Sequence, residues 1–242
     1  MVEPIAVGEL ASALQLGSHE MVSLVGGGGK TTGLFALGAQ LGGTIVLTTT
    51  TKMDRVRTDG NRVMIDPGDS ELSDALARHR TVLAWGGDAG HKAVGVAPET
   101  CDRWFALADH VIVEADGSRQ RPFTAPNPFE PVVPSMTTVL VACVGASALG
   151  RVIADQCHRP MRVAAVAGCS PYQRLTPERL AAVLLSERGA RKQCPDNARY
   201  VVVVNQVSDD DHRFLDRLAE VVDGQASIVA VAAGRRLGGP PR

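Results

Sequence analysis

Short apolar runs alternate with amphipathic stretches along most of the chain. Met21 to Val25, Thr44 to Thr48, Thr81 to Trp85, His110 to Asp116, Thr138 to Val144, Arg199 to Asn205 and Ser227 to Ala232 are dominated by apolar, mostly β-branched residues. Near-continuous runs of that length predict strands covered on both faces. Between them, Asp69 to Arg78 sets Leu72, Ala75 and Leu76 on one helical face. Helices are also predicted over Leu10 to Leu16, from the glycine run at 26–29 to about Leu41, from Pro98 through Leu107, from Thr176-Pro177, and over Asp210 to Val222. Gly42-Gly43 supplies a stop signal, and Pro98 and Pro177 supply starts. Strands alternating with helices give an α/β fold, a mostly parallel sheet with helices on both faces. A single domain over residues 1–242 is expected, less regular beyond a weak internal boundary near Gly150. In such a sheet, ligands bind at the carboxyl ends of the strands.

The strongest chemistry lies at the end of the first run. Gly26-Gly27-Gly28-Gly29-Lys30-Thr31-Thr32 stands between an apolar strand and a helix, the order that a P-loop requires. Glycines admit φ > 0, so consecutive N–H groups can turn into one concavity, and the helix adds its own unpaired N–H groups. Lys30 is expected to meet nucleotide phosphates, and Thr31 to offer its hydroxyl to Mg²⁺. The common P-loop has a further glycine where this chain has Leu24, so the loop is a shorter variety. Variant loops of this kind occur in Mur-type ligases and in the branch that holds the signal-recognition GTPases and MinD-like ATPases. The early lysine of the MinD-like loop is replaced here by Val25.

Glu114-Ala115-Asp116-Gly117 closes the His110 run. Alternate residues of a strand share a face, so Glu114 and Asp116 are both expected on the Mg²⁺ side. Asp116 is the expected metal contact, and Glu114 is expected to orient water or support Lys30. Thr51 and Lys52 end a threonine run and are candidates for Mg²⁺ and phosphate. Asn205-Gln206-Val207-Ser208 stands where guanine-reading proteins carry Asn-Lys-x-Asp. Gln206 and Ser208 lack the charges that guanine needs, so Asn205 is expected to contact a nucleotide without strict guanine selectivity, with a plain helix cap at Ser208 or Asp209 as the alternative. Arg121 to Pro134 holds five prolines and must be an extended loop. Cys157-His158-Arg159-Pro160 brings an imidazole and a guanidinium together, and His158 and Arg159 are candidates for substrate or partner contact.

Composition narrows the classes. A formal net charge of −1 gives no case for a nucleic-acid or membrane surface. No stretch is apolar enough to span a bilayer. Five cysteines without a CxxC pair or zinc spacing read as reduced thiols of a cytoplasmic protein. Gly234 to Arg242 reads as a short basic tail.

Several of these segments together resemble the YqeC family. They are the loop from Val25 to Thr32, the run from Thr48 to Met53, the segment from Val113 to Ser118, and Ala125-Pro126 with Glu130 to Pro134. Val144 to Gly150, His158-Arg159-Pro160 and Asn205-Gln206 complete the likeness, in family order. The usual family form Asn-Gln-Ala-Asp has an acid where Ser208 stands. The resemblance implies an accessory role in maturing a selenium-dependent molybdenum hydroxylase or its cofactor. Joined to the loop chemistry, the expectation is a Mg²⁺-dependent protein that binds and hydrolyses a nucleoside triphosphate, ATP or GTP. A ligase- or kinase-like enzyme acting on a small molecule or cofactor is one alternative. A non-catalytic nucleotide-binding module is another.

Overall fold

The computed structural model describes residues 2–54, 58–90 and 92–234; the basic tail from Arg235 onward lies outside them. The main sheet has eight strands. They are β1 (Glu20–Gly26), β2 (Ile45–Thr49), β3 (Arg62–Ile65), β4 (Thr81–Trp85), β5 (His110–Glu114), β6 (Val139–Gly145), β7 (Arg199–Val207) and β8 (Ser227–Ala232). Their order is β8-β7-β6-β1-β5-β2-β4-β3, and every neighbouring pair runs parallel. Because β7 pairs with β6, residues on either side of Gly150 belong to one sheet.

Both faces are covered, as a parallel sheet demands. The alternation along β1 divides its side chains: Met21 and Val25 enter one core, Val22 and Leu24 the other. The second core is closed by α1 (Leu10–Ala13) and α2 (Lys30–Gln40), through Leu10, Leu34, Phe35 and Leu37. The first is covered by α3 (Asp69–His79), α4 (Pro98–Phe105), α5 (Ile153–Gln156), α6 (Pro160–Ala167), α7 (Pro177–Leu184) and α8 (His212–Val222). Leu72, Trp104, Ile153, Val163, Leu180 and Leu215 are their contributions to that core. Thr176 caps α7 as its sequence suggests, its side chain accepting from the Arg179 amide at 3.4 Å.

Two additions sit at the carboxyl end of the sheet. Lys52–Asp54, Lys92–Val94 and Gly87–Ala89 form a small antiparallel sheet. The proline loop runs extended, and its Phe123–Thr124 pairs with Cys157–His158. Lys192 pins this loop: its Nζ donates to the carbonyls of Asn127, Pro128 and Glu130 at 2.9, 2.7 and 2.7 Å.

Candidate functional site

The glycine loop is shaped by what surrounds it. Gly26, Gly28 and Gly29 have φ of 91°, 71° and 103°. A Cβ on Gly26 would lie 2.5 Å from the Cys143 carbonyl oxygen, and one on Gly27 would lie 2.6 Å from that of Arg121. On Gly28 it would meet the Gly145 nitrogen at 2.4 Å. The loop therefore fits into a slot between the end of β6 and the proline loop, and only glycine can occupy it. Gly33 N–H to the Gly29 carbonyl, at 2.8 Å, is the first bond of α2. The amides before it have no intrahelical acceptor and face the sheet's carboxyl end.

At this helix start, β1 and the adjacent β5 bring three charges together. Lys30 is buried, and its Nζ donates to the Gly26 carbonyl at 2.6 Å. It lies 3.1 Å from Asp116 Oδ1 and 4.0 Å from Glu114 Oε1. The Asp116 contact is an ion pair without the alignment of a hydrogen bond. Asp116 Oδ2 accepts from the Gly26 amide at 2.8 Å, so this carboxylate braces the loop. Glu114 Oε2 accepts from the Thr31 hydroxyl at 2.8 Å.

Burial works against the Lys30 ammonium, but Asp116 and Glu114 outweigh it and hold its pKa above the ordinary lysine value. Burial pushes the Glu114 and Asp116 carboxyls up, and Lys30 offsets only part of that. One ammonium against two carboxylates leaves an excess negative charge that a proton or a further cation can relieve. Among the described residues, no three His, Cys, Asp or Glu side chains are grouped to hold a metal unaided. The donor set of Thr31 hydroxyl and Glu114 carboxylate fits a Mg²⁺ ion that takes its other ligands from phosphates and water.

A cleft of about 1170 Å³ opens over the loop. Gly28, Gly29, Lys30, Thr31, Thr32 and Glu114 form one side, with Thr51, Lys52 and Lys92 nearby. His158 and Arg159 line it too, joined by residues that sequence reasoning missed: Ser118, Arg119, Gln120, Glu130 and Gln206. Ser118, Glu130 and Gln206 lie inside the segments that carry the family resemblance, which was the available signal. Gly26, Gly27 and Asp116 lie beneath the cleft instead of on its surface: the Gly27 amide donates to the Cys143 carbonyl at 2.9 Å, and the Gly26 amide to Asp116. Thr51 is half-buried, and its amide donates to the Thr49 hydroxyl at 3.1 Å. Lys52 is exposed. Asn205 is engaged with the loop: its Nδ2 donates to the Gly28 carbonyl at 2.8 Å. On the nucleotide reading proposed below, Asn205→Ala is expected to weaken ATP and GTP by a similar factor, checked by parallel titrations. A smaller hollow of about 450 Å³, between Arg151, Asp155 and Arg174, holds no residue of the glycine loop and neither Glu114 nor Asp116.

Fold and site together define a parallel α/β protein with a glycine-rich strand-to-helix turn beside a strand-end carboxylate pair. The profile of the YqeC protein family matches residues 22–161. The chain is also 31% identical over 216 residues to a protein of Escherichia coli (strain K12) named "Uncharacterized protein YqeC". That match covers 82% of this chain and 81% of the relative. The chain belongs to the YqeC family. No helix among the described residues is long and apolar enough to cross a membrane.

Proposed function

We propose that the protein binds a Mg²⁺-nucleoside triphosphate on residues 28–32, at the end of the glycine loop and the start of α2, and hydrolyses it. The observation that carries this reading is the meeting of Lys30 and Thr31 with Asp116 and Glu114 around a glycine cradle. In the proposal, loop amides and Lys30 hold the phosphates, and the Thr31 hydroxyl and Glu114 hold Mg²⁺ directly or through water. Bound Mg²⁺ supplies charge neutralisation on the phosphates. Asp116 positions Lys30 and the Gly26 amide. This division differs from the one expected from the place of Asp116 at the strand end, because Glu114 is the carboxylate that touches Thr31. Support for an accessory role toward a selenium-dependent molybdenum hydroxylase comes from the family resemblance. Support for a ligase- or kinase-like reaction comes from the breadth of the cleft beyond the loop.

Calorimetry against ATP, GTP and CTP, with and without Mg²⁺, tests the reading. Binding is expected to require Mg²⁺, and no triphosphate should exceed the others by about a thousandfold, roughly 4 kcal/mol. Glu114→Gln is expected to lower the Mg²⁺ dependence and the hydrolysis rate. Undiminished Mg²⁺ dependence in that variant would remove Glu114 from the metal shell.

A further inference from the structure

Beyond the glycine loop, the same cleft has a second wall built from three separate segments. Arg119 and Gln120 follow the Asp116 turn, His158 and Arg159 precede α6, and Gln206 interrupts the end of β7. Its backbone is unusual. Nine non-glycine residues have positive φ among the described residues. Four of them stand on this wall: Arg119 at 50°, Gln120 at 60°, Arg159 at 55° and Gln206 at 61°. Left-handed conformations are disfavoured for L-residues and persist where the surroundings over-determine them, often at ligand sites.

The charges point the same way. Glu130 takes the Arg159 nitrogen Nη2 at 2.5 Å, while Nη1 is buried without a partner. Arg119 is exposed and has no carboxylate partner among the described residues. Burial, with Arg159 and Arg119 close by, holds the His158 pKa below the ordinary histidine value. Cations crowded against one another, with a guanidinium N–H unsatisfied, await an anion.

We propose that this wall seats a second small molecule that bears an oxyanion, phosphoryl or carboxylate, beside the nucleotide. Its place beside a nucleotide rests on the function proposed above; the seat itself rests on the residues just named. The exposed Arg119 guanidinium and the side of Arg159 not engaged by Glu130 can each meet an oxygen of one group. The amides of Gln120 and Gln206 add neutral donors for the rest of the ligand. The loop then holds one substrate and this wall the other.

The test is calorimetry with inorganic phosphate and, separately, citrate, on protein saturated with Mg²⁺ and a non-hydrolysable ATP analogue. At least one probe is expected to bind. Arg119→Gln and Arg159→Gln should each weaken it by roughly tenfold, the loss of one charge-assisted contact. Arg119→Gln is the safer variant for folding, since that side chain is exposed. In the double variant Lys30→Ala/Asp116→Asn, which does not retain the analogue, the probe should still bind, and adding Arg119→Gln should still weaken it by roughly tenfold. Stronger binding of phosphate assigns a phosphoryl group, and stronger binding of citrate a carboxylate. The proposal is overturned if neither probe binds. It is equally overturned if binding is lost in the loop variant and kept in the arginine variants. Failure of the nucleotide reading looks different: the analogue does not bind, yet the arginine-dependent probe does.

Discussion

Lys30→Ala is expected to abolish tight nucleotide binding and to lower stability in the same stroke. Loss of a buried charge-assisted contact to the phosphates costs about 2–5 kcal/mol, or about 30- to 5000-fold in affinity. The stability loss has a separate origin. Glu114 and Asp116 are buried around Lys30, and the variant leaves both without their ammonium. Breaking a buried pair from one side costs about 3–5 kcal/mol. Adding Asp116→Asn should return most of the stability and none of the binding. The pH dependence has a definite sign. The raised Lys30 pKa means that its share of stability is present below the ordinary lysine value and is lost as pH rises through the higher folded value. The raised carboxyl pKa values mean that stability from Glu114 and Asp116 is present below the ordinary carboxylate range and is lost as pH rises through the folded values. Without Lys30 those two groups must take protons to stay buried, so the variant should recover relative to the native protein as pH falls. Urea melts at pH 5 and about pH 8, near and well above the carboxylate range, measure this. Unchanged affinity in a folded Lys30→Ala protein would falsify the phosphate-loop reading.

Gly28→Ala should be nearly as damaging through geometry alone. The added methyl would meet the Gly145 nitrogen at 2.4 Å and its Cα at 2.6 Å, both backbone atoms. The φ of 71° adds conformational cost. Left-handed backbone contributes about 1–2 kcal/mol and overpacking about 1–3 kcal/mol. The loop must then leave its slot against β6, which should remove nucleotide binding along with about 2–5 kcal/mol of stability. Gly42→Ala is the matched control, because nothing lies within 4 Å of a Cβ there. Thermal melts of the two variants should differ by several degrees. Equal melting temperatures would show that the loop is not held in its slot.

Strands were legible wherever both faces are buried. Val201 to Val204 and Val111 to Val113 are apolar throughout because neither face meets water. Arg62–Ile65 escaped because it is a half-exposed edge strand that mixes Arg62 with Met64. The three-residue strands of the small sheet are shorter than any window in which a period can be counted. Helix α6 was hidden because Cys157 to Pro160 reads as a turn, and Arg159 does adopt left-handed backbone before the helix begins.

The convergence of Glu114 and Asp116 on Lys30 was expected from alternation, but their separate partners were not legible. β5 ends at Glu114, so Asp116 takes its direction from the turn that follows. The bond from Asn205 to Gly28 depends on β7 lying one strand beyond β6, which no local pattern encodes. The gathering of Arg119, Arg159 and Gln206 spans three segments and could be seen only after folding.

The strand order also governs how the protein must be made. β1 lies in the middle of the sheet, yet its neighbours come late: Val22 pairs with Ile112 on one side and with Val139 on the other. A nascent chain carrying the glycine loop and α2 therefore has no completed slot until β6 has been synthesised, more than a hundred residues later. Until then at least one backbone edge of β1, a row of unpaired N–H and C=O groups, stays open to other chains. Such long-range parallel pairing folds slowly and exposes intermediates to aggregation. Fragments that stop short of Gly145 should accordingly be insoluble, and cellular yield should respond to chaperone supply more than the finished molecule's stability would suggest.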